Sequence, residues 1–142
     1  MEFLRINAKN KGLVNTVFCD EIDADQIPGL YLQCHVGLIA LDARHTTHNI
    51  SGKFISYLQS GLPVMAIINN DNDLQLIIEK YQVGGVTTSR NHTNLRLLAN
   101  SLLDEISFDE NLIRSRCKVL ATDLFSTRTA VEQIVNTLNS MK

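Results

Sequence analysis

The run His48-Asn49-Ile50-Ser51-Gly52-Lys53-Phe54-Ile55-Ser56-Tyr57-Leu58-Gln59-Ser60-Gly61-Leu62-Pro63-Val64 decides how this chain folds. It opens as a polar loop, passes into a short helix and ends in a buried strand. Ser51 is a good N-cap, because its hydroxyl can accept from an orphan amide of the first turn. Phe54, Ile55, Leu58 and Leu62 recur at helical spacing and predict one buried face. Gly61 suits a left-handed C-cap, and Pro63 enforces the stop. The amides of Gly52, Lys53 and Phe54 then point out of a helix start, where the macrodipole is positive. Gly52 leaves the backbone bare, and Lys53 adds a full charge. These features fit an anion site with phosphate as its ligand. They also fit a capped amphipathic helix with a solvated lysine.

Outward from this run, strands and helices alternate. Residues 2–11 predict a helix ended by Gly12. Residues 15–19 read as a short strand around Val17 and Phe18. An acidic loop follows at 20–26, then a short helix with Pro28 near its start. Residues 36–41 and 64–68 are continuous apolar runs, the mark of strands buried on both faces. Between them lies a polar loop, 42–50, with His45 and His48. Residues 69–73 cap a helix that carries Leu74, Ile77, Ile78 and Tyr81 at helical spacing. Residues 84–87 form a last, weaker strand. Helices are then expected over 93–105 and 108–123. Ser126 caps a final one with Val131, Ile134, Leu138 and Met141. The expected class is α/β. A Rossmann-like parallel sheet of about four strands is flanked by helices and followed by an all-helical C-terminal segment. Ligands of such sheets sit beyond the carboxyl ends of the strands. The loops 20–26, 42–50 and 69–73 leave those ends.

Composition narrows the function classes. A chain of 142 residues predicts one domain over residues 1–142, with a real core. A net charge of −2 supplies no basic field for nucleic acid. No apolar run approaches the ~20 residues of a membrane span, and no signal peptide is recognisable, so a cytoplasmic protein is expected. Cys19, Cys34 and Cys117 are an odd set, far apart, and read as reduced thiols. His45-Thr46-Thr47-His48 lacks the further ligands a zinc site needs, so no metal is expected. No nucleophile–base pair stands out.

The run from Gly52 to Val64 resembles the Pro-Ser-Lys-x-x-Glu-Tyr-x-x-x-Gly-x-Pro-Val segment of bacterial GT-B glycosyltransferases of surface polysaccharide (O-antigen and capsule) biosynthesis. Ile27-Pro28-Gly29-Leu30-Tyr31 and His35-Val36-Gly37-Leu38-Ile39-Ala40-Leu41-Asp42 are similar to an upstream block of the same family. The resemblance covers nearly the whole chain. It implies the C-terminal, donor-binding half of a hexosyltransferase-like enzyme. No cofactor is implied; the substrate is a nucleoside-diphosphate sugar, UDP-linked. Donor phosphate binding falls to Lys53, Gly52, Ser51 and Asn49. Ribose and sugar contacts fall to Ser56, His45, His48 and Asp42, with Arg44 beside them. The base pocket falls to Asp20, Glu21 and Ile22.

This sequence departs from the pattern at Ser56, where the family has a glutamate for the ribose. A hydroxyl binds a ribose more weakly than a carboxylate does. Without the resemblance, Ser56 is a polar residue on an exposed helix face, Asp42 ends a strand and 20–22 is a solvated acidic turn. The family's donor half usually carries about six strands in the order 3-2-1-4-5-6. By that measure the chain starts after the second strand, and two strands are missing between 15–19 and 36–41. It then reads as a fragment, inactive alone. The acceptor site and other catalytic groups would lie on an N-terminal domain, and the full-length protein would be peripheral at the inner membrane. The incomplete sheet would pair 15–19 directly with 36–41, or close in a homodimer. Two other readings are a GT-B-like sugar-nucleotide epimerase and a non-catalytic α/β interaction module.

Overall fold

A computed structural model describes residues 2–42, 44 and 50–140 of the protein. Among them, β1 (Gly37–Ala40), β2 (Val64–Ile67) and β3 (Gly84–Thr87) form one parallel sheet in the order β1-β2-β3. Gly37 pairs with Val64, and Val64 with Gly84. Parallel neighbours need crossovers. Helix α3 (Gly52–Gln59) lies in the first and α4 (Asp73–Tyr81) in the second. The architecture is α/β, with helices α1 (Glu2–Asn10) and α2 (Ile27–Leu32) before the sheet and a helical segment after it.

The decisive run folds as its pattern predicts at its carboxyl end. Gly61 takes φ 68°, its amide donates to Leu58 O at 2.9 Å, and the Leu62 amide donates to Tyr57 O at 2.8 Å. This is a Schellman stop, which requires the left-handed residue that glycine supplies. Phe54, Leu58 and Leu62 are buried with Val64, Ala66 and Ile68 in the main core. Helix α4 is capped by Asn72, whose side chain accepts from Leu74 N at 3.0 Å.

Helix α5 (His92–Phe125) covers both regions expected as separate helices and turns a corner at Asp109 (φ −154°, ψ 84°). The Asp109 carboxylate accepts from Leu112 N at 2.9 Å and so caps the second half. The first half lays Leu102 and Ile106 against Val36 and Met65. Beyond the corner, Cys117, Leu120 and Ala121 join the α3 core. Half-buried Arg114 fixes that path. Its Nη2 donates to Cys34 O at 2.7 Å and its Nη1 to Gly61 O at 3.3 Å, ahead of β1 and β2.

Further expectations change. Residues 15–19 form no strand; Val14 is 99% and Val17 85% exposed, and the pairing of 15–19 with β1 is not made. Strand β1 is not buried on both faces, since Leu38 is 54% exposed. The α5 helix lies over the Met65 and Gly85 row, where Leu98, Leu102 and Ile106 pack. Helix α6 (Thr127–Ser140) does form, and Ser126 Oγ accepts from Thr129 N at 3.1 Å. No described α6 residue is buried, however, and Met141 lies outside the described residues. No described helix is long and apolar enough to cross a membrane.

Candidate functional site

The carboxyl end of the sheet gathers most of the described candidates. Strand β1 runs out into Leu41 and Asp42, and the chain re-enters helix at Ser51 and Gly52. Ser51 holds the N-cap backbone (φ −60°, ψ 133°), but its hydroxyl makes no cap hydrogen bond. Its carbonyl accepts from Phe54 N at 2.9 Å instead. That bond takes the Phe54 amide away from any ligand and leaves the Gly52 and Lys53 amides at the helix start. Gly52 is exposed, with open space where a Cβ would stand. Lys53 is exposed and makes no ion pair among the described residues.

Ser56 is half-buried, and its Oγ donates to Gly52 O at 3.1 Å, a bond within its own helix. It faces a groove of about 380 Å³ between α2 and α3, lined also by Ile27, Pro28 and Tyr31. Asp42 is committed elsewhere. Its carboxylate accepts from Arg44 Nε at 2.9 Å and Nη2 at 2.7 Å. That hydrogen bonding raises the Arg44 pKa above its ordinary value. His45, His48 and Asn49 lie outside the described residues.

Asp20, Glu21 and Ile22 sit apart, on the exposed segment after α1. Arg5 of α1 holds Asp20 at 3.2 Å and stacks over Phe18, 5.6 Å from the ring centre. Both charges are solvated, so the pair contributes little to stability.

Two residues of this region escape the motif reading. Arg90 Nη2 donates to Leu41 O at 2.6 Å and to Asn69 Oδ1 at 3.2 Å. Asn69 Nδ2 donates to Asp42 O at 2.9 Å. Together they join the loops after β1, β2 and β3. The signal for Arg90 was in the chain: it stands three residues past the end of β3, where the strand-end rule places ligands.

Of the three free cysteines, Cys19 is exposed, Cys34 half-buried and Cys117 buried. Burial pushes the Cys117 thiol up to about 12, so it stays protonated at neutral pH. Burial also raises Tyr57, whose hydroxyl donates to Leu38 O at 3.3 Å. Among the described residues no group of three or more His, Cys, Asp or Glu could hold a metal ion. Comparison with known proteins finds no family model, no curated protein and no solved structure that matches this chain.

Proposed function

We propose that this chain is the donor-binding part of a glycosyltransferase, gripping the diphosphate of a nucleoside-diphosphate sugar at the start of α3. The observation that carries this reading is the exposed Lys53 beside the Gly52 and Lys53 amides, on a helix that follows the carboxyl end of β1. A departing diphosphate accumulates negative charge, and fixed donors at a helix start stabilise it. The resemblance of residues 52–64 to surface-polysaccharide transferases supplies the substrate class. In this role the sugar is transferred at the cytoplasmic face of the membrane, once an acceptor-binding half completes the enzyme.

Thermal melts with UDP and UDP-sugars test it. Ligand at 100 times its Kd adds about 2.7 kcal/mol to stability. Lys53→Ala should weaken UDP binding about tenfold or more, since hydrogen bonds to charged groups contribute about 1.5–3 kcal/mol. The unliganded melt should stay put, because Lys53 is exposed. Unchanged UDP affinity in the variant overturns the phosphate assignment.

A non-catalytic interaction module is the reading that α6 favours. Val131, Ile134, Val135 and Leu138 line one side of the helix and are all exposed. A helix of this length is marginal in water without a partner for that face. Light scattering should therefore report a dimer of the isolated chain. A monomer at high concentration removes self-association from either reading.

A further inference from the structure

Arg90 is held but not neutralised. A guanidinium carries five N–H donors. Two of them, on Nη2, go to the Leu41 carbonyl and the Asn69 amide oxygen. Both acceptors are uncharged. No carboxylate pairs with Arg90 among the described residues, and the side chain is exposed. Among the described residues nothing accepts from Nε or Nη1, and these donors remain for a ligand. The arginines of the ion pairs at Asp20, Asp42, Glu110, Glu105 and Glu132 face carboxylates instead.

Position adds to this. The anchoring carbonyl belongs to Leu41, directly after β1, and the anchoring amide to Asn69, just after β2. Arg90 itself leaves β3. Its charge is thus fixed over the carboxyl ends of all three strands, where parallel α/β sheets take their ligands. Two hydrogen bonds restrict the long side chain before any ligand arrives, which lowers the ordering cost of binding.

We propose that Arg90 is a binding residue for an anionic oxygen of the ligand at this sheet end. The inference rests on the donor-binding reading for the identity of that ligand. An anionic oxygen in such a donor has two sources, the diphosphate and a carboxylate on the sugar.

Calorimetric titration with pyrophosphate, UDP, UDP-glucose and UDP-glucuronate separates them. Arg90→Gln removes the charge, and Arg90→Lys restores it without the planar fork. If Arg90 meets the diphosphate, Arg90→Gln weakens all four probes about tenfold, and Arg90→Lys recovers part of the loss. If it meets a sugar carboxylate, only UDP-glucuronate weakens. A residue that merely ties the loops together would lose binding equally in both variants and in step with a lowered melting point; that result overturns the proposal. Wild-type affinity in Arg90→Gln for every probe overturns it too. Lys53→Ala, titrated alongside, keeps the two ideas apart. Loss there with none at Arg90 sinks this inference alone, and the reverse sinks the α3 phosphate site alone. No binding of any probe by the wild-type chain sinks both.

Discussion

Gly84→Ala should lower the melting midpoint by about 10 °C or more. Gly84 opens β3 with φ 154°, a backbone region that L side chains rarely adopt. A Cβ there would collide with the Val64 carbonyl oxygen and stand 2.7 Å from the Val64 nitrogen. Neither atom can yield. Val64 is fully buried in β2, pairs with Gly84 in register, and its amide donates to Val83 O at 3.0 Å. Backbone strain of this kind costs about 1–3 kcal/mol, and overpacking a closed site costs a similar amount again. The sum is a large share of the 5–15 kcal/mol that holds an ordinary domain folded. Gly29→Ala is the matched control. It lies in α2 with open space where the Cβ would go, so it should leave the midpoint unchanged or raise it slightly. A Gly84→Ala variant that melts with the wild type would mean that β2 and β3 do not approach as described.

Local pattern was enough for the three strands and for the stop at Gly61. Each depends on residues adjacent in sequence: an apolar run, or a glycine one step past a helix. It failed at 15–19. Val14, Thr16 and Val17 have strand-forming side chains, yet a strand exists only beside another. On the outer edge of β1 the Tyr57 hydroxyl already donates to Leu38 O. Leu38 is exposed for a related reason. An apolar run says that a strand can be covered on both faces, not that a helix reaches it. At the candidate site, Lys53 was legible because a helix start announces itself. The meeting of Leu41, Asn69 and Arg90 was not. It spans 49 residues of chain and exists only once the parallel register has brought three strand ends together. The Ser51 hydroxyl shows a finer limit: the residue type marks the cap position, but the first-turn amide found the Ser51 carbonyl first.

The second large effect is at Phe54, the residue that holds the candidate site from below. It is fully buried and meets the Phe125 ring edge-on at 6.1 Å, so α3 is fastened to the far end of α5. Truncation to alanine removes that contact and leaves a void bounded by strands and helices that cannot close on it. Losses for buried Phe→Ala changes run about 3–5 kcal/mol. Phe54→Leu keeps most of the volume and should cost about 1.5 kcal/mol or less if the core repacks. Urea titrations of both variants measure these values directly. Their comparison with Lys53→Ala carries more weight than either alone. Phe54 is fully buried, so its variant should lose stability first and UDP affinity only as α3 loosens. Lys53 is exposed, so its variant should lose affinity with the urea midpoint unmoved. Equal stability losses at the two positions would mean that Lys53 is part of the packing, and the start of α3 would then have no charge to spare for a ligand.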